Sequence, residues 1–451
     1  MRTKQCGWPF LLIGVLLIIF TACSSINPAN TLTRTHSSVK TSALTATVPP
    51  WENLYVLDGS GKGSNQQRIV AFHPGGPDAT ARVTLPAGLL SQDHKTIYSA
   101  APRNEQTTIT VTNTQTGSAL RAFAIPGTYT TSGQSYTTAT LSPNGRWLAL
   151  RQAVGQTSNI ALVDTQVGRL VKTIKLDKNF YLDALSPLGN QLYLLQYLAE
   201  QPGRYYVRLY DTRANKLNQQ IIADKSEIED PRMSGSALTR QIAKDGSAVY
   251  TLYIDRVHNV AFVHILPLIM EDHLLYPPYF ARCVDLPVGR SGDLLPYYSL
   301  ALSADGTALY AANGALGIAA KISLTALLFD DRITGSIHFD PGNVRATNNS
   351  APPVYNGAAL SPDQNTVYFV GTQGIWAANT NDISSSNARL TGHYLTQQPF
   401  TSVAVNTSGK MLYTTHPTGG ITLYDIEAGD AQQLAQSPAH APQGIEWVTG
   451  P

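Results

Sequence analysis

Residues 361–380 read SPDQNTVYFVGTQGIWAANT and contain two kinds of local signal. Pro362 presets the backbone angle φ and Asp363 favours a tight turn, so the first residues predict a reversal of the chain. An apolar stretch ending near Tyr368 and a second one after a Gly-rich break are typical of strands with one buried face. The segment is therefore predicted to fold as a β-hairpin.

The same order of turn and strand recurs along the chain, giving seven copies in all. The seventh copy begins at Ser142 and has Ala149 seven residues after the first turn residue of its hairpin. Repeats at steps of roughly 40 to 60 residues are typical of propellers and solenoids. In the other six copies a Tyr holds that position: Tyr98, Tyr193, Tyr250, Tyr310, Tyr368 and Tyr413.

A second turn signal follows in most copies, where a strand ends on Asn or Asp and Gly or Asn stands four residues later. The Asx side chain can bond the backbone that follows it, and Gly or Asn tolerates a positive φ. Each repeat is therefore expected to contain two hairpins, and hence four antiparallel strands. The pairs are Asn113 with Gly117, Asp164 with Gly168, Asp211 with Asn215, and Asp425 with Gly429.

Taken together, these motifs resemble a known class of repeat. A turn such as SPDG, a strand containing LY and a later I-x-L-x-D-x-x-x-G are similar to YVTN-type and TolB-like β-propeller repeats, which are relatives of the WD-repeat fold. The resemblance covers residues 51–451, and the GH and WD dipeptides of true WD repeats are missing. It implies an all-β propeller built from four-stranded antiparallel blades.

The two ends of the repeat region predict how the ring closes. The tail from Pro442 to Gly450 has the pattern of a first strand with no turn after it, and the head from Val48 to Gly59 places Tyr55 at the repeat position. One C-terminal strand and three N-terminal strands would complete one more blade and remove exposed sheet edges. We expect eight blades, with seven as the alternative if residues 239–296 do not form a regular blade.

The N-terminal residues have the pattern of a targeting segment. Arg2 and Lys4 precede an apolar core of 13 residues, and small residues precede Cys23. This order resembles the lipobox of bacterial lipoprotein signal peptides. The resemblance implies a signal peptide over residues 1–22, a lipidated Cys23 and an extracytoplasmic domain anchored to the cell membrane. An uncleaved membrane anchor is the alternative.

Residues 23–50 form the next predicted region. They are rich in Ser and Thr and show no apolar period, so we expect a flexible tether between the anchor and the propeller domain at 51–451. A random coil of that length spans about 30 Å.

The composition fits a turn-rich fold and excludes one class of partner. The chain has 35 Gly, 27 Pro and 14% charged residues, and its net charge is +2. This nearly neutral charge balance provides no basic electrostatic field that would select nucleic acid as a partner. We expect a monomer whose partners are the membrane and an envelope protein or extracellular ligand. No intrachain disulfide is expected, because Cys6 leaves with the signal, Cys23 carries lipid and Cys283 is then alone.

No motif of an enzyme or cofactor site was found. There is no Cys-x-x-Cys-His, no His-Glu-x-x-His and no Gly-x-Ser-x-Gly, so neither a catalytic residue, a metal nor a cofactor is expected. His258 and His264 are six residues apart on a predicted strand and would share a face. Ordinary strand and loop positions explain this pair better than a metal site does.

One segment departs from the rhythm of the repeats. Residues 264–283 read HILPLIMEDHLLYPPYFARC, an apolar and aromatic insertion between two strands. Exposed apolar clusters mark partner or ligand surfaces, so Tyr276, Tyr279 and Phe280 are the candidate binding surface. The alternative is that the insertion folds back and covers its own blade.

Two classes of function remain at this point. A non-enzymatic propeller that acts as a protein- or ligand-binding scaffold is favoured, because the sequence shows no titratable groups that converge on one site. The alternative is a propeller enzyme of the lactonase, quinoprotein or hydrolase kind with its site in the central funnel. A fold supports many activities, so the fold alone does not choose between them.

Overall fold

The protein is described by a computed structural model. It covers residues 47–59, 67–75, 80–131, 138–224, 230–268, 280–289, 292–324, 332–342, 354–384, 389–396, 398–434 and 437–449. Within these ranges, the helical elements are two short 3-10 helices, Gly292–Tyr297 and Asp382–Ser384. The remaining regular structure is β-strand, as the repeated hairpin pattern predicts.

The strands of the N-terminal half are β1 Leu54–Asp58, β2 Arg68–Phe72, β3 Ala81–Pro86, β4 Leu89–Leu90, β5 Thr96–Arg103, β6 Gln106–Asn113, β7 Ala119–Pro126, β8 Ala139–Leu141, β9 Trp147–Val154, β10 Thr157–Asp164, β11 Arg169–Asp177, β12 Phe180–Leu185, β13 Gln191–Tyr197, β14 Arg204–Asp211, β15 Lys216–Asp224 and β16 Met233–Ser234. Those of the C-terminal half are β17 Ser236–Ile242, β18 Ala248–Asp255, β19 Val260–Pro267, β20 Phe280–Asp285, β21 Ser299–Leu302, β22 Ala308–Asn313, β23 Ile318–Ser323, β24 Arg332–His338, β25 Ala358–Leu360, β26 Thr366–Gly371, β27 Gly374–Asn379, β28 Leu390–Tyr394, β29 Ser402–Val405, β30 Met411–Thr415, β31 Ile421–Asp425, β32 Ala431–Gln433 and β33 Pro442–Val448.

In the described ranges these strands form six four-stranded antiparallel sheets and one nine-stranded sheet. We call each run of four consecutive antiparallel strands a unit. From first to fourth strand, unit 1 is β33, β1, β2 and β3, unit 2 is β4–β7, unit 3 is β8–β11, unit 4 is β12–β15, unit 5 is β17–β20, unit 6 is β21–β24, unit 7 is β25–β28 and unit 8 is β29–β32.

The turns that the sequence predicts are formed in the way their chemistry requires. In the first hairpin of unit 6, the Asp305 side chain accepts hydrogen bonds from the Ser303 hydroxyl at 2.6 Å and from the Thr307 N–H at 3.0 Å. In the second hairpin of unit 2, Asn113 Oδ1 accepts hydrogen bonds from the backbone N–H groups two and three residues later, both at 2.9 Å. Gly117 there has a φ of 70°. The local signals therefore set the strand boundaries, which is why these were predictable.

The Tyr residues that mark the repeats are buried, as expected. Each of the six is at most 7% exposed, and Ala149 in the seventh copy is completely buried. They pack between neighbouring sheets; Tyr413, for example, lies in one core cluster with Val56 and Phe72 of unit 1. The repeated Tyr therefore belongs to the packing of the fold.

Unit 1 is completed by the C-terminal strand. β33 pairs antiparallel with β1 over the whole length of β1, from Leu54 opposite Val448 to Asp58 opposite Pro442. Trp447 stacks on Tyr55 with ring centroids 4.1 Å apart and an interplanar angle of 17°. The prediction of closure by one C-terminal and three N-terminal strands is confirmed in this pairing.

The units lie side by side in the order of the chain, with their first strands at the centre. Contacts join the first strands of neighbouring units. They link unit 2 with unit 3, unit 3 with unit 4, and each successive pair from unit 5 to unit 8 and on to unit 1. Units 4 and 5 are joined by an ion pair between Asp183 and Arg240, and units 1 and 2 by the Tyr55 hydroxyl, which donates to the Thr114 carbonyl. This radial arrangement is a β-propeller.

Units 4 and 5 depart from the regular pattern in one respect. The fourth strands β15 and β20 pair in parallel through Ala223 opposite Phe280 and Asp224 opposite Ala281, and β16 adds to β14. The two units thereby share one nine-stranded sheet. Strands β17–β20 nevertheless follow the four-stranded order, and the count of eight separate blades stays a prediction.

The turns between first and second strands approach one another at one end of the central channel. The Gln92 side chain of unit 2 donates a hydrogen bond to the Ala243 carbonyl of unit 5 at 2.6 Å. A methyl group added at Gly246 would lie 2.8 Å from Pro143 of unit 3. Because units 2 and 3 touch unit 5 here, the channel is narrow at this end.

Candidate functional site

The mouth of the channel opposite these turns holds a cavity of about 610 Å³. We call it the mouth cavity. It reaches from unit 5 across to units 7, 8 and 1. Its lining comes from the starts of first strands, the loops that precede them and the loops that join second and third strands. Its lining residues are Gln67, Ala237, Leu238, Thr239, Val354, Tyr355, Asn356, Thr401, His416, Pro417, Thr418, Gly419, His440, Ala441, Pro442 and Gln443.

The unit 1 side of the mouth cavity is held by a buried acid. Asp58 ends β1, is completely buried and accepts a hydrogen bond from the Ala441 N–H at 2.9 Å. The same carboxylate pairs with Arg68 at 2.9 Å. Gln67 and Gln443 are thereby brought to the rim, where the Gln67 amide donates to the Gln443 side chain at 2.9 Å. The two amides keep further donors and acceptors for a ligand.

The unit 8 side presents His416, which begins the loop between β30 and β31. Its Nε2 lies 2.8 Å from the Thr422 hydroxyl, and its ring is tilted against Phe400 with centroids 4.6 Å apart. Burial lowers the pKa of His416, so the imidazole is neutral at neutral pH. Thr422 is buried and does not line the cavity, so this contact orients the ring rather than activating a nucleophile.

The unit 7 side presents Tyr355 and Asn356. The Asn356 amide donates to the Ile445 carbonyl at 2.9 Å, which fixes the loop against the first strand of unit 1. Tyr355 packs on Gly444 so closely that a Cβ at this Gly would lie 2.4 Å from the ring. The Tyr355 hydroxyl donates to Glu446 at 2.7 Å. Burial raises the pKa of Glu446 to about 7.

The chemistry of the lining is neutral and polar. None of the residues that line the mouth cavity is Asp, Glu, Lys or Arg, and amides, hydroxyls and imidazoles supply its hydrogen-bonding groups. Among the described residues, no group of three or more His, Cys, Asp or Glu is placed to hold a metal ion. Such a surface can bind an uncharged polar molecule by hydrogen bonds and apolar contact.

A second groove, of about 540 Å³, lies between units 4 and 5. It contains a network in which Asp230 accepts from the Arg232 Nε at 2.6 Å and lies 3.5 Å from Arg204. Val257 at its edge is 88% exposed. The charged groups of this groove already form ion pairs, so the mouth cavity is the better candidate for ligand binding.

The aromatic surface predicted from the sequence is only partly described. Tyr276 and Tyr279 lie outside the described residues, as does Cys23, so these predictions stay predictions. Phe280 is the first residue of β20 and is half-buried beside Ala223.

The prediction that His258 and His264 share one strand is wrong. His258 lies in the turn between β18 and β19, where its Nδ1 is 2.7 Å from Asp255 Oδ2. His264 lies within β19 and is 1% exposed. Four residues of a tight turn separate the two strands, and this turn interrupts the alternation on which the prediction relied.

Sequence reasoning missed the residues of the mouth cavity. Tyr355, which lines the cavity, and Glu446, which it contacts from behind the lining, are 91 positions apart and belong to no repeated motif. A usable signal was the acidic residue in the otherwise apolar strand GIEWV, since a carboxyl group in a buried strand needs a partner.

No helix within the described ranges has the length and apolar character needed to cross a membrane. No protein-family model matches the chain, and no curated protein does.

Several solved structures are similar to this chain. The periplasmic gluconolactonase PpgL of Pseudomonas aeruginosa matches with 16% identity and a TM-score of 0.44, over 88% of this chain and 98% of that one. The Cps50 β-propeller domain of Myceliophteria thermophila matches with 11% identity and a TM-score of 0.38, over 76% and 94%. TolB of Acinetobacter baumannii matches with 12% identity and a TM-score of 0.34, over 60% and 61%. The class of the protein, an all-β propeller, follows from its own strand order.

Proposed function

We propose that this protein is a non-enzymatic binding propeller whose mouth cavity takes a small polar ligand. The observation that supports this is the lining of the cavity, which combines amides, hydroxyls and neutral imidazole with no charged side chain. A volume of about 610 Å³ fits a small molecule such as a sugar or polyol. Hydrolysis would require a nucleophile paired with a base in the cavity, whereas His416 is paired with a buried Thr422 outside it.

Filling the cavity is expected to abolish binding without harming the fold. Ala237 is exposed at the start of β17 and lines the cavity from unit 5, so Ala237→Trp would place an indole inside it. Thermal unfolding of the full chain is measured with glucose, sucrose, myo-inositol and glycerol. At least one of these is expected to raise the melting temperature of the parent protein and leave that of Ala237→Trp unchanged.

The matched control is Ala122→Trp, the same substitution at an exposed position of the outer strand β7. It is expected to respond to the ligand as the parent does. The proposal fails if no member of the panel stabilises the parent protein, or if Ala237→Trp is stabilised as strongly as Ala122→Trp.

We further propose that the propeller is held outside the cytoplasmic membrane by lipid on Cys23. The support is the order of basic, apolar and small residues before this Cys, followed by a Ser/Thr-rich tether. Cys23→Ser is expected to end incorporation of radiolabelled palmitate in the bacterial host and to release the protein from the membrane fraction. Cys6→Ser, within the segment predicted to be removed, is the control that keeps the label. A labelled Cys23→Ser protein, or an unlabelled parent, would refute lipidation.

A further inference from the structure

The first strand of unit 1 contains a β-bulge that redirects one side chain. Tyr55 of β1 pairs with Trp447 and the next residue, Val56, pairs with Ile445, so Glu446 is an extra residue without a partner in β1. Ile445 packs into the core shared with unit 8, and Trp447 packs into the core on the other face. A β-bulge changes the direction in which the side chain of the extra residue points. The Glu446 side chain therefore extends from the free edge of β33, towards the channel.

Glu446 is partly exposed, and it differs from the buried acids of the described chain in what surrounds it. Among the described residues, five Asp and Glu side chains are at most 4% exposed, and each has a cation or several donors. Asp58, Asp164 and Asp183 pair with Arg68, Arg146 and Arg240. Glu52 accepts from the Tyr413 hydroxyl and from the N–H and hydroxyl of Thr407, and Asp425 accepts from two N–H groups of its turn.

Glu446, by contrast, has a single hydrogen bond, from Tyr355, and forms no ion pair in the part of the chain that the structure describes. A carboxylate that loses part of its hydration without gaining a cation or several donors is destabilised in its charged form. Burial accordingly raises its pKa from 4.5 to about 7, against the opposing effect of the Tyr355 hydrogen bond. No cation among the described residues compensates this charge.

The position of Glu446 relates it to the mouth cavity. Tyr355 lines the cavity and touches the carboxyl group, so a ligand seated against Tyr355 lies next to Glu446. Gln443 on the rim precedes Glu446 by three residues of one strand, a span of about 10 Å. A molecule of sugar size can reach from the rim amides to the carboxylate.

We infer that Glu446 is the specificity-determining residue of the mouth cavity and that the preferred ligand is a polar molecule bearing a basic amino group. This inference rests on the proposed binding function. The ammonium group supplies the cation that Glu446 lacks, and the neutral rim bonds the rest of the ligand. Anionic ligands are excluded by the same carboxylate.

The test compares amines with neutral molecules of the same shape. Affinities of the full chain for glucosamine, glucose, ethanolamine and ethylene glycol are measured by calorimetry at pH 8. We expect each amine to bind the parent protein about tenfold more tightly than its neutral counterpart, since a charge-assisted hydrogen bond is stronger than a neutral one. Glu446→Gln is expected to bring this ratio close to one.

The matched control is Glu427→Gln, which changes an exposed acid in the β31–β32 turn of unit 8. It is expected to keep the tenfold preference. Equal affinity for amines and neutral molecules in the parent protein overturns the inference and leaves the proposed function standing. A preference that persists in Glu446→Gln also overturns it, and absence of binding by all four molecules overturns both.

The preference is expected to depend on pH. At pH 5.5 Glu446 is protonated, so the parent protein loses the amine preference that it shows at pH 8. The other ionisable groups that face this region are Tyr355, His416 and His440 in the cavity lining and His94, whose ring lies 5.4 Å from Trp447. If the pH dependence of the amine preference persists in Glu446→Gln, it arises from these other groups, and the role of Glu446 is contradicted.

The unliganded protein gives an independent readout. Because native Glu446 holds its proton up to about pH 7 and the unfolded chain releases it near 4.5, the stability that this carboxyl group contributes is lost as the pH rises through that window. The melting temperature of Glu446→Gln relative to the parent should therefore rise between pH 4.5 and 8. A constant difference would show that the carboxylate is already compensated and would overturn the inference.

Discussion

Deletion of residues 442–451 is expected to destabilise the whole propeller. The deletion removes β33, and β1 then loses the partner that it pairs with over its full length. It also removes Trp447, which is 7% exposed and stacked on Tyr55, and loss of a buried Trp alone costs about 3–5 kcal/mol. The melting temperature should fall by at least about 5 °C, and the open edge of β1 should promote self-association.

Differential scanning calorimetry and sedimentation velocity measure these two effects. A shorter deletion of residues 450–451 leaves β33 complete and serves as the control, with an expected melting temperature equal to that of the parent. If the longer deletion melts at the parental temperature and sediments as a monomer, β33 does not close the ring. The prediction of eight blades would then lose its principal support.

Arg240→Met is expected to lower the free energy of unfolding by about 3–5 kcal/mol. Arg240 joins the first strands of units 4 and 5 by donating to the Asp183 carboxylate at 2.7 Å and to the Asp183 carbonyl at 2.6 Å. The side chains of this pair are only 7% and 2% exposed. The Met variant leaves the Asp183 carboxylate buried without its cation, which is the reason for the large expected loss.

Arg256→Met is the matched control, because Arg256 pairs with Asp293 at the same distance of 2.7 Å on the surface, with both side chains about half exposed. Exposed pairs contribute about 0–1 kcal/mol, so urea unfolding should separate the two variants clearly. The double variant Asp183→Asn with Arg240→Met removes both charges and should recover part of the loss. Equal effects of Arg240→Met and Arg256→Met would contradict the role of the buried pair.

Much of the fold was predictable because its signals are local and repeated. Three signals each act within a few residues: a Pro-Asp turn, a strand with a buried Tyr and an Asx turn. They recur several times along the chain. Closure by the C-terminal strand was also predictable, since Leu54–Asp58 and Pro442–Val448 each carry one part of an incomplete repeat. In contrast, the parallel pairing of β15 with β20 follows no repeat and was not foreseen.

The binding site was not predictable from the sequence, because its parts occur once and come from distant positions. Ala237, Tyr355, His416 and Gln443 belong to four different units and meet only when the ring closes. The aromatic insertion was predicted as the binding surface instead, since an apolar loop is visible in a sequence and a cavity is not. His258 shows the same difficulty at short range, where a turn separated two residues that an unbroken strand would have placed on one face.

The sequence by itself determined the all-β class, the four-stranded repeat, the boundaries of the turns and the complementary head and tail. These features depend on φ preferences, side-chain hydrogen bonds to neighbouring backbone and a period of two, which act over a few residues. Only the tertiary structure decided at which end of the channel the cavity lies, that a bulge directs Glu446 out of its strand, and that this acid has no cation among the described residues. Burial and electrostatic compensation depend on every chain segment around a group, so they are defined only when the units are assembled.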